Sequence, residues 1–286
     1  MRFVIQGSAL NPQHLQHLMS ICLGGDFVRL DAHAWFLPVG ARIEAAASYC
    51  ASHQIDCAFV PDDQMLENFG LVVMDMDSTL INIECIDEIA DMQGLKPQVS
   101  AITESAMRGE IEFAESLRRR VALLAGLDES ALQRVFDERL RLNPGAVKLI
   151  DTLKARGIMI MLVSGGFTYF TDRLKQRLGL DYTHGNTLEV QDGRLTGKVL
   201  GEVLDAQGKA DRLTTTRDQL GLRKAQVIAI GDGANDLKML SAAGVGIAYH
   251  AKPVVRSQAT YAVNQVGLDG VLNLFLTSPA SLTECS

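Results

Sequence analysis

Three unbroken apolar runs, Leu71-Val72-Val73-Met74, Ile158-Met159-Ile160-Met161-Leu162-Val163 and Val227-Ile228-Ala229-Ile230, each stop at a cluster of polar residues or glycines. A strand with one face in water alternates apolar and polar side chains, whereas a strand apolar at every position must be buried on both faces. Strands of that kind make a parallel sheet covered by helices on each side. The expected fold is therefore α/β, a doubly wound Rossmann-like sheet, with ligands beyond the carboxyl ends of its strands.

The first run ends in Asp75 and Asp77. In extended chain, positions two apart point the same way, so the two acids crowd one spot. Such crowding raises a carboxyl pKa or recruits a hard cation, and Mg²⁺ takes carboxylate oxygens readily. The third run ends in Gly231-Asp232-Gly233-Ala234-Asn235-Asp236. A helix beginning near Ala234 places Asp232 at its entry and Asp236 one turn on, so four carboxylates share one mouth. The second run ends in Ser164-Gly165-Gly166-Phe167. A hydroxyl and glycine amides opening a helix form an anion cradle, which suits phosphate. Lys209 falls on the next strand-to-helix connection, with Lys198 and Lys224 competing for the same role.

Between Ser78 and Asn143 the periodicity is helical: Ile86, Ile89 and Ala90, then Phe113, Leu117, Val121 and Leu124. This predicts a small helical cap over 83–142, inserted between core segments 69–82 and 143–286. Arg118-Arg119-Arg120 reads on its own as a solvated charged face. A hairpin is expected over 183–203, turning at Asp192-Gly193. In the first 68 residues, strands at 1–6, 27–38 and 55–60 and helices at 12–23 and 41–53 give an α+β module of βαββαβ order.

In sequence order, DMDST, SGG, a lone lysine and GDGAND resemble the four motifs of the haloacid dehalogenase superfamily of phosphotransferases, over roughly residues 70 to 275. The resemblance implies that Asp75 is a nucleophile and Asp77 a general acid/base. It places the phosphoryl group on Ser164, Gly165, Lys209 and Asn235. It assigns Mg²⁺ to Asp75, the Asp77 backbone carbonyl and Asp232, with Asp236 acting through a bound water. Within the superfamily the likeness is to members that hydrolyse O-phospho-L-serine through an aspartyl phosphate, the last step of serine formation. FAESLRRRV is similar to the stretch whose last arginine grips the substrate carboxylate, which maps to Arg120. By the same match Glu84 receives the substrate ammonium, and Met107 and Phe113 line the closed pocket. The N-terminal module resembles an ACT domain, which leaves a homodimer and amino-acid sensing open.

A formal net charge of −7 gives no footing for nonspecific nucleic-acid binding. No apolar run approaches a membrane span, and the N-terminus lacks a basic start with a long apolar stretch. Cys22, Cys50, Cys57, Cys85 and Cys285 are odd in number and unpatterned, which reads as reduced thiols in a cytoplasm. His14 and His17 share a helical face and read as solvent-facing. Two rivals stay open: a signalling receiver, which has no insertion after its first acidic strand, and a related phosphatase acting on another phosphomonoester or transferring to an acceptor such as homoserine.

Overall fold

The computed structural model describes residues 1–23 and 25–277, without the side chain of Met107. Cys285 and the end of the expected core segment lie outside the described residues. The chain opens with β1 (Arg2–Gln6), α1 (Pro12–Cys22), β2 (Val28–Arg29), β3 (Ala34–Pro38), α2 (Glu44–Ser52) and β4 (Asp56–Val60). They form an antiparallel sheet in the order β2-β3-β1-β4. Asn11 starts α1 by accepting the Gln13 and His14 amides, and Pro12 fills the first turn, where no amide is needed. Helix α2 starts later than position 41 because Ile43 stays extended and no side chain caps it before Glu44. His14 and His17 are not simply solvated: His14 Nδ1 lies 2.9 Å from Tyr49 Oη, and the His17 ring lies 4.3 Å from the Tyr49 ring.

The alternation of β1 divides its side chains between two cores. Phe3 and Ile5 pack with Leu18, Leu37 and Cys50 under the helices. Val4 points the other way, with Ala58 and Val60, into the cluster that holds Val263, Leu268, Val271 and Phe275. At this seam the buried Asp56 carboxylate accepts the backbone amides of Asn264 and Gln265, each at 2.7 Å.

The second sheet contains β5 (Leu71–Met74), β6 (Met159–Phe167), β7 (Tyr182–Gln191), β8 (Arg194–Leu200), β9 (Val227–Gly231), β10 (Val245–Tyr249) and β11 (Tyr261–Val263). Its order is β11-β10-β9-β5-β6-β7-β8, parallel except for the β7–β8 hairpin. Leu71 and Val73 pack on one side, Val72 and Met74 on the other, so the central strand is buried on both faces. Helices α3 (Cys85–Asp91), α4 (Lys96–Met107), α5 (Phe113–Ala122) and α6 (Ser130–Arg134) form the insertion. They precede α7 (Ala146–Ala155), α8 (Thr168–Leu178), α9 (Ala206–Gln219), α10 (Leu237–Ala242) and α11 (Pro253–Arg256). Among the described residues no helix is long and apolar enough to cross a membrane.

Both ends of the insertion leave the core together. Ile81 and Leu142 form an antiparallel bridge, and the Asn143 side chain donates to the carbonyls of Thr79 at 2.8 Å and Ile81 at 3.1 Å.

Two local expectations are corrected. Strand β6 does not stop at Val163: it stays extended to Phe167, with a register shift against β7, and α8 opens only at Thr168. Ser164, Gly165 and Gly166 are thus bulged strand rather than the first turn of a helix. The third motif enters its helix through a single 3₁₀ turn, Ala234–Asp236, and α10 begins at Leu237.

Candidate active site

The carboxyl ends of β5, β6 and β9 bring the three motifs to one place. The Asp75 amide donates to the Ile230 carbonyl at 3.0 Å, tying the end of β5 to β9. Its side-chain Oδ1 accepts the Met76 amide at 2.7 Å, and Oδ2 lies 2.8 Å from Lys209 Nζ. Lys209 also reaches Asp236 Oδ1 at 2.8 Å and is 1% exposed. Lys198 and Lys224 are both exposed, so burial separates the three candidate cations. The Asp205 side chain starts α9 by accepting the Gly208 amide, which sets Lys209 in the first turn.

Carboxylate oxygens of Asp75, Asp232 and Asp236 all lie within 4.8 Å of one another. Thr79 Oγ1 donates to Asp232 Oδ1 at 2.8 Å, and the Gly233 amide donates to Asp236 Oδ2 at 3.0 Å. A Cβ on Gly231 would stand 2.6 Å from the Asp236 carboxyl, so only glycine lets the strand and that acid come so close. Asp77 is outside this trio. Its Oδ2 lies 3.0 Å from where a Gly166 Cβ would be, as does Ser164 Oγ, so Asp77 faces the Ser164–Gly166 stretch. Ser164 Oγ accepts the Gly166 amide at 2.8 Å. From the insertion, the Phe113 ring leans on Gly165, 3.0 Å from its Cβ direction.

The electrostatics follow from burial and crowding. Burial, then Asp236, then Asp232 push the Asp75 carboxyl well above the usual range, against the pull of Lys209. Burial, followed by Glu84, does the same to Asp77, against the opposing pull of Cys85. Asp232 is pushed up to about 6 by burial and then by Asp236. Desolvation works against the Lys209 ammonium, but Asp236 and Asp75 outweigh it and keep it charged. One ammonium facing three carboxylates leaves surplus negative charge on hard oxygen donors, and a divalent cation such as Mg²⁺ fits that set. Mg²⁺ added to chelator-treated protein should therefore raise its thermal midpoint, by about 5 °C at a hundred times the dissociation constant. An unchanged melting curve in millimolar Mg²⁺ would count against the metal site.

On the insertion side, Arg118 and Arg119 are exposed, as the bland reading of the arginine run expects, but Arg120 turns inward and is 9% exposed. Its only direct bond among the described residues is a long one, Nε to the Ser116 carbonyl at 3.4 Å. Burial weakens its hold on the proton, and Asp87, Glu84 and Asp77 offset only part of that loss. Glu84 is open to solvent and accepts the Ser78 hydroxyl at 2.8 Å; Ser78 itself sits in the left-handed region, φ 57°. Although the side chain reaches solvent, the protein crowded around its carboxyl strips away part of its hydration and raises it, and the Ser78 bond opposes this. Asn235 is half-buried in the 3₁₀ turn, its amide oxygen packed on Gly233. Met107 ends α4, and its side chain lies outside the described residues.

Three residues at the site were not singled out from the sequence: Thr79, which steers Asp232, Asn143, which holds the loop after β5, and Asn186, whose side chain donates to the Gly165 carbonyl. Thr79 stands inside DMDST and was open to notice. Asn143 and Asn186 carry no sequence signal beyond a polar residue beside apolar ones.

Residues 72–241 match the haloacid dehalogenase-like hydrolase family. The phosphoserine phosphatase of Polaromonas sp. is 54% identical over 217 residues, 74% of this chain and 92% of that relative. The crystal structure of a probable phosphoserine phosphatase from Vibrio cholerae superposes with a TM-score of 0.84 at 41% identity, covering 96% of this chain and 85% of the other. A phospho-aspartyl intermediate analogue of phosphoserine phosphatase superposes with a TM-score of 0.68 at 39% identity, covering 73% of this chain and 99% of the other.

Proposed function

The chain belongs to the haloacid dehalogenase-like hydrolases and, within them, to the phosphoserine phosphatase family, and from that premise we propose that it hydrolyses O-phospho-L-serine to L-serine and phosphate through an aspartyl phosphate on Asp75. The observation that carries this reading is the Asp75 carboxylate at the end of β5, anchored by Lys209 beside Asp232 and Asp236, with Asp77 two residues on facing the Ser164–Gly166 stretch. That is one nucleophile, one cation and one anion cradle around a single point.

Asp75 attacks phosphorus in its ionised form, which the Lys209 ammonium favours, as the bond to the serine oxygen breaks. Asp77, whose buried carboxyl holds its proton well above the usual range, gives that proton to the departing oxygen. Ionised, Asp77 then takes a proton from the water that attacks phosphorus and frees Asp75, so each turnover restores both acids. Ser164, the Gly166 amide and Lys209 stabilise charge on the transferring group. Asp75, Asp232 and the Asp77 carbonyl would hold Mg²⁺, with Asp236 acting through a bound water, and the ion would supply the remaining neutralisation of phosphate charge. Asn235 and Gly165 complete the phosphoryl site. Arg120 and Glu84 read the carboxylate and ammonium of the substrate, with Met107 and Phe113 closing the pocket. On this reading residues 83–142 are the cap over a core of 69–82 and 143–286, residues 1–68 are an ACT-like module able to pair two copies, and the enzyme completes serine formation in the cytoplasm.

The direct test is phosphate release from a panel of phosphomonoesters with Mg²⁺ and with excess chelator. O-Phospho-L-serine should be preferred and chelator should stop turnover. Preference for sugar phosphates, or full activity in chelator, would reject the assignment.

A further inference from the structure

Asn186 stands in β7, opposite Phe167 of β6, and is 2% exposed. Its two amide atoms are both used, and on different segments. Nδ2 donates to the Gly165 carbonyl at 2.8 Å, and Oδ1 accepts the Leu204 amide at 2.8 Å. Leu204 immediately precedes Asp205, the residue that starts the helix bearing Lys209. One side chain therefore ties the Ser164–Gly166 stretch to the segment that presents the lysine.

In a trans peptide the carbonyl and the following N–H point in opposite directions. The Gly165 carbonyl aims at Asn186, so the Gly166 N–H aims away from it, towards Ser164 Oγ. Between two glycines that peptide plane can turn over with little steric resistance. A reversed plane would put a carbonyl oxygen where an N–H should meet phosphoryl oxygens, replacing attraction with repulsion. We propose that Asn186 is a positioning residue that locks the Gly165–Gly166 peptide with its N–H towards the phosphoryl site and holds that site in register with Lys209. The inference rests on the reading of Ser164 to Gly166 as the place where the phosphoryl group binds.

Two substitutions separate its parts. Asn186→Leu is close in size and removes both bonds. Asn186→Asp keeps an acceptor for the Leu204 amide but has no donor for the Gly165 carbonyl. Inorganic phosphate, titrated calorimetrically into each full-length protein with Mg²⁺ present, reports the site without turnover, and thermal unfolding run alongside gives the folded fraction. Both variants should bind phosphate roughly tenfold to a hundredfold more weakly per folded molecule, since a hydrogen bond to a charged group is lost. The turnover number on O-phospho-L-serine should fall with it. A lower melting midpoint with unchanged phosphate affinity per folded molecule would overturn the lock and leave Asn186 a structural brace. Wild-type affinity in Asn186→Asp alone would overturn it too, because the Gly165 bond would then be dispensable. If the wild-type protein itself fails to bind phosphate, the phosphoryl-site reading falls, and this inference with it.

Discussion

Asp75→Asn should eliminate turnover of O-phospho-L-serine, with a loss on the order of 10⁴-fold or more. The amide is the same size but cannot form the acyl phosphate, and no other carboxylate replaces it: Asp77 is turned to Gly166, while Asp232 and Asp236 are held by Thr79 and Gly233. The variant should still fold. Removing one of three crowded acids relieves repulsion, so its melting midpoint without metal should equal or exceed that of the unsubstituted protein. Rapid acid quenching with labelled substrate should trap phosphate on the unsubstituted protein and none on the variant. Turnover near the normal rate, or label retained by Asp75→Asn, would place the nucleophile elsewhere.

Arg120→Ala should raise the Michaelis constant for O-phospho-L-serine by two orders of magnitude or so, because a desolvated carboxylate left without its partner costs on the order of 2–5 kcal/mol. Among the described residues the nearly enclosed guanidinium makes only one long bond, to a carbonyl, and no ion pair, which on the proposed reading leaves it free for the substrate. Phosphoethanolamine keeps the ammonium and lacks the carboxylate; its kinetics should hardly change. Steady-state assays of both substrates decide the matter. Equal damage to both would make Arg120 a structural member of α5, and the case for reading a carboxylate would fail.

How much of this was legible in the residues depends on where the chemistry resides. Asp75, Asp77, Asp232 and Asp236 announce themselves because carboxylates at the ends of buried strands are expensive without a purpose. Lys209 could be ranked above Lys198 and Lys224 only by motif order; its near-complete burial between two acids is a fact of packing. The end of β6 was misplaced because apolar side chains stop at Val163 while the backbone runs on extended, and glycines carry no side chain to reveal the period. Asn143 and Asn186 were illegible for another reason. Their partners are backbone carbonyls and amides contributed by distant segments, and nothing in residue type identifies such a partner. Arg120 lay between: the run alone reads as a solvated face, which Arg118 and Arg119 are, and the helical turn decides which member faces inward.

The bridge between Ile81 and Leu142 has a meaning beyond geometry. Because the two tethers leave the sheet as neighbours, the entropy of closing the intervening chain grows only slowly with its length. A different set of helices could be spliced between them, altering what the pocket admits while Asp75, Ser164, Lys209 and Asp232 keep their places at the strand ends. On the proposed reading, recognition and reaction would be carried by separable stretches of one gene, and ancestry could revise the first without putting the second at risk.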